Sequence, residues 1–128
     1  MTHGIGIDII EIARIRQALT KNPRFAERHF TPWEREFCQS RRDWARPFAA
    51  RFAAKEAVAK ALGHSLSWYD VEVRNDERGK PLIFLSGKAE ELAAGRRVLV
   101  SLSHSLHYAV ACAILVDAED APQQQVAP

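Results

Sequence analysis

The sequence predicts a single α+β domain in which a small antiparallel sheet packs on a long central helix and shorter helices. Three observations predict it. The hydrophobic period is two over residues 4–9 and turns helical from Ile12 onward. An alanine-rich stretch from Pro47 to Leu62 stops at a glycine, and short alternating runs fill the second half. At 128 residues the chain can bury one modest core, and 47% hydrophobic with 27% charged residues is ordinary globular usage.

Ile5, Ile7 and Ile9 alternate with Gly4, Gly6 and Asp8, the signature of a strand with one face almost bare of side chains. Backbone or ligand can approach such a face closely. Ile12, Ile15 and Leu19 then follow helical spacing. Thr31-Pro32-Trp33-Glu34 reads as a capping box that opens a short helix to Gln39, with Pro32 in its first turn. The Pro47 to Leu62 helix carries an apolar stripe of Phe48, Phe52, Ala59 and Leu62 and ends at Gly63. Val71 and Val73 pair with Leu82 to Leu85 across a turn holding Gly79-Lys80-Pro81, a hairpin pattern. A brief helix over Ser86 to Ala94 and strands over Val98 to Leu102 and Tyr108 to Val116 complete an expected set of about three helices and a small sheet. The domain is expected over 1–116. Residues 117–128, rich in Pro and Gln, are expected to be disordered.

The net charge of +2 conceals an asymmetry: residues 1–62 hold 12 Lys+Arg against 7 Asp+Glu, whereas 63–128 hold 6 against 9. A basic first half attracts polyanions of several kinds. Two isolated cysteines, Cys38 and Cys112, exclude a disulfide framework and a cysteine-based zinc site. No charged-then-apolar leader precedes the first strand and no apolar run nears the ~20 residues of a membrane span, so a cytoplasmic location without membrane contact is expected.

Asp8 at the strand end reads either as a cap for the next helix or as a ligand for a hard cation. Glu56 and Lys60 fall on one helix face with Ala49 and Ala53. They read either as a solvated pair or as functional groups on a packed face. Ser101-Leu102-Ser103-His104-Ser105 suggests a hydrolase, but neighbouring Ser103 and His104 on a strand face opposite ways, and no Gly-x-Ser-x-Gly elbow is present. The cluster suits hydrogen bonding to a phosphate better. Arg14, Lys21 and Arg24 form a basic series that, beside an exposed Phe25, would steer and anchor an acidic protein.

Three segments together resemble the holo-acyl-carrier-protein synthases, the short bacterial 4'-phosphopantetheinyl transferases: Gly4-Ile-Gly-Ile-Asp-Ile-Ile-Glu-Ile, Arg51-Phe-Ala-Ala-Lys-Glu-Ala-Val-Ala-Lys-Ala and Ser101-Leu-Ser-His-Ser. Their order and spacing agree with that family over about residues 3–116. The resemblance implies the 4'-phosphopantetheinyl transferase fold and transfer of phosphopantetheine from coenzyme A to a serine of an acidic apo-acyl-carrier protein, in support of fatty acid biosynthesis. It implies that Asp8 and Glu56 bind Mg2+ and that Lys60 neutralises phosphate oxygens. Arg51, Ser103 and His104 would hold the nucleotide end, and Gly63 with Gly79-Lys80-Pro81 would border the cofactor. Glu56, or a water on the metal, would take the serine proton. Arg14, Lys21, Arg24 and Phe25 would dock the carrier, and the chain would form a homotrimer with active sites between subunits. The alternative is a small basic module binding RNA or another polyanion, although no nucleic-acid motif is present.

Overall fold

The computed structural model describes residues 1–125. Strand β1 (Thr2–Glu11) leads directly into α1 (Ile12–Lys21), α2 (Arg24–His29), α3 (Pro32–Gln39) and the central helix α4 (Ala45–Leu62). A 3-10 turn (Trp68–Asp70) precedes β2 (Val71–Asn75), β3 (Pro81–Leu85), α5 (Gly87–Ala93), β4 (Arg97–His104) and β5 (Tyr108–Val116). The α+β class stands as expected. Among the described residues the strands form two sheets rather than one: a three-stranded antiparallel sheet in the order β1-β5-β4, and the hairpin β2-β3. Five α-helices form among the described residues against the rough count of three; α1, α3, α4 and α5 match the helical segments read from the sequence, and α2 is new because it is too short to show a hydrophobic period.

The sheet faces are decided by glycine. Gly4 and Gly6 point at α4, where a Cβ on either would fall well inside contact distance of the Ala61 or Ala57 carbonyl oxygen. The strand therefore lies against helix backbone rather than helix side chains. Ile5, Ile7 and Ile9 consequently point away from the core and are 67%, 62% and 61% exposed. Register places them in cross-strand rows: Ile5 with Ile114 and Leu99, Ile7 with Cys112 and Ser101, Ile9 with Val110 and Ser103. This outer face is largely apolar, which is uncommon for a sheet left to solvent.

Helix α4 is buried nearly all round, so the expected stripe is too narrow. Ala49, Ala53, Ala54, Ala57 and Val58 are fully buried, whereas Phe52, Ala59 and Leu62 are only half-buried. One core lies between α4, the β2-β3 hairpin, α5 and the inner faces of β4 and β5; the other lies under α1, α3 and the start of α4. Alanine allows both, because its small side chain lets strand and helix approach the axis closely.

After β5 the chain turns back on β1. Asp117 lies 2.8 Å from His3 Nε2 and 3.2 Å from the Met1 ammonium, which also pairs with Asp120. Arg97 donates to the Pro122 carbonyl and Gln124 to that of Ile83. Of the tail expected over 117–128, residues 126–128 lie outside those described.

Candidate active site

Asp8 sits within β1 on the side that faces α4, paired in register with buried Ala111. It does not cap the next helix, whose N-cap is Glu11 without a side-chain bond. Its side chain is 18% exposed. Lys60, on the last turn of α4, donates to the Ile7 carbonyl at 2.9 Å and lies 3.4 Å from Asp8 Oδ1. The ammonium thus crosses from helix to strand to reach Asp8. Glu56 stands one turn earlier, half-buried. Burial, and then the negative charge of Asp8, raise its carboxyl above the usual glutamate value, with Lys60 and His29 opposing. Two acids distant in sequence therefore share one electrostatic environment, and it favours added positive charge.

Beside this group opens a cleft of about 480 Å³, lined by Glu56, Ala59 and Lys60 on α4 and by the loop from Gly63 to Trp68. Gly63 adopts φ 72°, the left-handed conformation that ends α4 and turns the loop back over the helix. Its amide donates to Lys60 O and the His64 amide to Ala59 O, which fixes the mouth of the cleft.

The remaining expected site residues lie elsewhere in the chain. Gly79 and Lys80 lie in the β2-β3 turn and Pro81 opens β3; Lys80 and Pro81 border a separate cavity of about 470 Å³ with Arg97 and Pro122. Ser103 and His104 are exposed at the end of β4, with Ser103 in the outer-face row of Ile9 and His104 in register with buried Ala109. Arg51 is 3% exposed, stacked at 4.4 Å over the Phe37 ring, and bonded at 2.6 Å to Asn75 Oδ1. Arg51 is therefore enclosed in the single chain rather than open to a ligand: Asn75 donates onward to the Gly79 carbonyl, so Arg51 supports the hairpin turn from beneath. Arg14, Lys21 and Arg24 are exposed as expected. Phe25 is not free, since it is half-buried and stacked on His29 with ring centroids 4.1 Å apart.

The sequence model of the 4'-phosphopantetheinyl transferase superfamily matches residues 4–113. The chain belongs to this superfamily. Curated members similar to it include the holo-[acyl-carrier-protein] synthases of Protochlamydia amoebophila (48% identical, covering 89% of this chain and 98% of the relative) and Koribacter versatilis (44%, covering 91% and 100%). Among solved structures, a Bacillus anthracis holo-(acyl-carrier-protein) synthase in complex with CoA (3',5'-ADP) superposes with a TM-score of 0.80 at 41% identity, covering 92% of this chain and 99% of that one. The Helicobacter pylori enzyme in complex with coenzyme A gives 0.78 at 31%, covering 87% and 98%. These matches give no support to the polyanion-binding alternative.

The sequence reading of this superfamily member missed a buried ion pair. Lys55 and Glu34 meet at 2.6 Å with almost no exposure. The capping box alone gives Glu34 a partner in the sequence, whereas in the fold Oε1 takes Lys55 as well as the Thr31 amide and Oε2 takes the Val73 amide. The available signal was a lysine set among Ala53, Ala54 and Ala57 on an alanine-rich helix.

The Glu56 environment carries a pH prediction. A carboxyl raised in the fold adds stability that is complete below its unfolded value near 4.5 and is lost as pH rises through the folded value. Metal-free wild type should therefore lose stability relative to Glu56→Gln over that window, with the variant melting higher at pH 7; thermal melts from pH 4 to 8 check this, and parallel curves would contradict it.

Proposed function

We propose that the chain is a holo-[acyl-carrier-protein] synthase, which transfers 4'-phosphopantetheine from coenzyme A to a serine of an apo-acyl-carrier protein and releases adenosine 3',5'-bisphosphate. The observation that carries this reading is the meeting of Asp8, Glu56 and Lys60 beside an open cleft. Two carboxylates, one raised by its burial and then by the charge of the other, fit a hard divalent cation, and Asp8 and Glu56 would hold Mg2+. When bound, the ion supplies Lewis-acid withdrawal of charge from the pyrophosphate.

The chain's own groups do the rest. Lys60, 55% exposed at its side chain, presents a cation to phosphate oxygens as their charge grows. Glu56, or a water held beside it, would accept the serine proton. Gly63 lets the cofactor approach the end of α4 without a side chain in the way. The test is to incubate the protein with coenzyme A, Mg2+ and an apo-carrier protein and weigh the carrier. A gain of about 340 Da, one phosphopantetheine, is expected, and an unchanged mass with every divalent metal tried rejects the reading.

The reading extends to a homotrimer with active sites between subunits. Ser103, His104 and the Gly79-Lys80-Pro81 turn do not line the cleft of their own chain, so they would serve a neighbour's, and the exposed Ile5, Ile7 and Ile9 face would pack against that neighbour. Burying three isoleucines contributes about 5 kcal/mol or more per subunit. Ile7→Asp should therefore give a monomer by light scattering with transfer reduced about 100-fold; a fully active monomer would overturn the shared site.

Carrier docking falls to Arg14, Lys21 and Arg24, with Phe25 offering its remaining exposed edge. Reversing Arg14 and Arg24 to Glu should raise the carrier's KM about tenfold or more while leaving that for coenzyme A nearly unchanged. Equal effects on both would contradict docking. An acidic carrier, coenzyme A and two free cysteines suit action in the cytoplasm, in support of fatty acid biosynthesis. No helix among the described residues is long and apolar enough to cross a membrane.

A further inference from the structure

Lys55 has no part in the chemistry described so far, yet it is the best-connected cation in the fold. Its ammonium pairs with Glu34 Oε1 at 2.6 Å and donates to the carbonyls of His29 at 2.9 Å and Trp68 at 2.8 Å. These partners belong to α3, to the end of α2 and to the 3-10 turn that follows the cleft loop. Three donors meet three acceptors, so the group is fully satisfied inside the protein. Glu34 is equally committed, taking the Thr31 amide on Oε1 and the Val73 amide on Oε2, both at 2.8 Å.

A buried ion pair is weak evidence for stability, because an apolar pair of similar shape often serves as well. No apolar side chain, however, could hold two carbonyls from two other segments. One of those carbonyls is that of Trp68, at the end of the loop that walls the cleft, and the cation holding it is the residue next to Glu56. The other belongs to His29, whose ring stacks on Phe25 and stands edge-on to Trp68 at 4.8 Å. The loop itself, from Gly63 to Ser67, has neither helix nor strand to hold it.

We propose that Lys55 is a positioning residue for the transfer reaction, pinning the Trp68 end of the cleft loop to the helix that carries Glu56 and so setting the width of the coenzyme A site. The proposal rests on the function given above for the cleft. Two variants separate positioning from mere stability. Lys55→Met removes the donors to Trp68 and His29; Glu34→Gln breaks the same ion pair but leaves those donors in place and keeps a capping side chain. Both should melt lower than wild type.

Below both melting points, Lys55→Met should show amide exchange over residues 63–70 faster by about tenfold or more, and a KM for coenzyme A raised about tenfold or more with kcat changed far less. Glu34→Gln should stay near wild type in both. Should Lys55→Met fail to fold, the double variant Glu34→Gln/Lys55→Met removes the stranded carboxylate and takes its place. Equal exchange and equal KM in the Lys55 and Glu34 variants would overturn the proposal. If wild type neither binds coenzyme A nor modifies a carrier, the functional reading falls instead, and the exchange comparison still decides whether Lys55 pins the loop.

Discussion

Asp8→Asn and Glu56→Gln should each lower phosphopantetheine transfer by on the order of 10³-fold while leaving the fold intact. Both side chains stand at the seam between β1 and α4, and the charge of Asp8 already helps raise Glu56, so each amide removes one of two charges that a divalent cation would neutralise. In neither case is an internal ion pair of the core broken, since the core pair is Glu34 with Lys55. Wild type should melt higher on adding Mg2+, by an amount approaching ~2.7 kcal/mol at a hundredfold excess over Kd, and the variants should not. Initial rates of carrier modification and melts with and without metal test both parts. Near-normal turnover in either variant would remove the two-carboxylate centre from the mechanism.

Gly6→Ala should be among the most destabilising single-methyl additions available in this chain. The new Cβ would collide with the Ala57 carbonyl oxygen and crowd the Ala61 amide, both backbone atoms of a helix buried on nearly all sides. Side chains can rotate away from such a clash, but backbone held by a helical hydrogen-bond ladder cannot. Overpacking of this kind costs about 3 kcal/mol or more, which for a domain of this size lowers Tm by about 10 °C or more. Transfer should fall as well, because Ala57 follows Glu56 and Gly6 precedes Asp8 by two residues, so parting strand from helix parts the acids. A Gly6→Ala protein melting with wild type would refute the close packing of β1 on α4.

Local features were legible because their causes are local. The Thr31 to Glu34 capping box forms with both reciprocal bonds, and Gly63 takes the left-handed conformation that only glycine adopts freely. The hairpin and the last strand fall close to their expected bounds, since turn residues and period-two runs act within a few residues. Helix α2 was not legible, because six residues between Pro23 and Phe30 contain less than two turns of pattern. Nor was the burial of Arg51 and Phe25: each has an exposed-looking sequence context, and only the approach of Phe37, Asn75 and His29 encloses them.

The sequence by itself determined the class of fold and the main elements, and it singled out Asp8, Glu56, Lys60 and His104 as candidates, because periodicity, capping and motif spacing are properties of neighbours along the chain. The tertiary structure decided which face of β1 is the inner one, that Lys60 reaches Asp8 rather than Glu56, and that Lys55 binds three segments at once. Those outcomes depend on which backbones can come close enough to touch. Here two glycines on a strand and a run of alanines on a helix set that distance, and only folding brings them together.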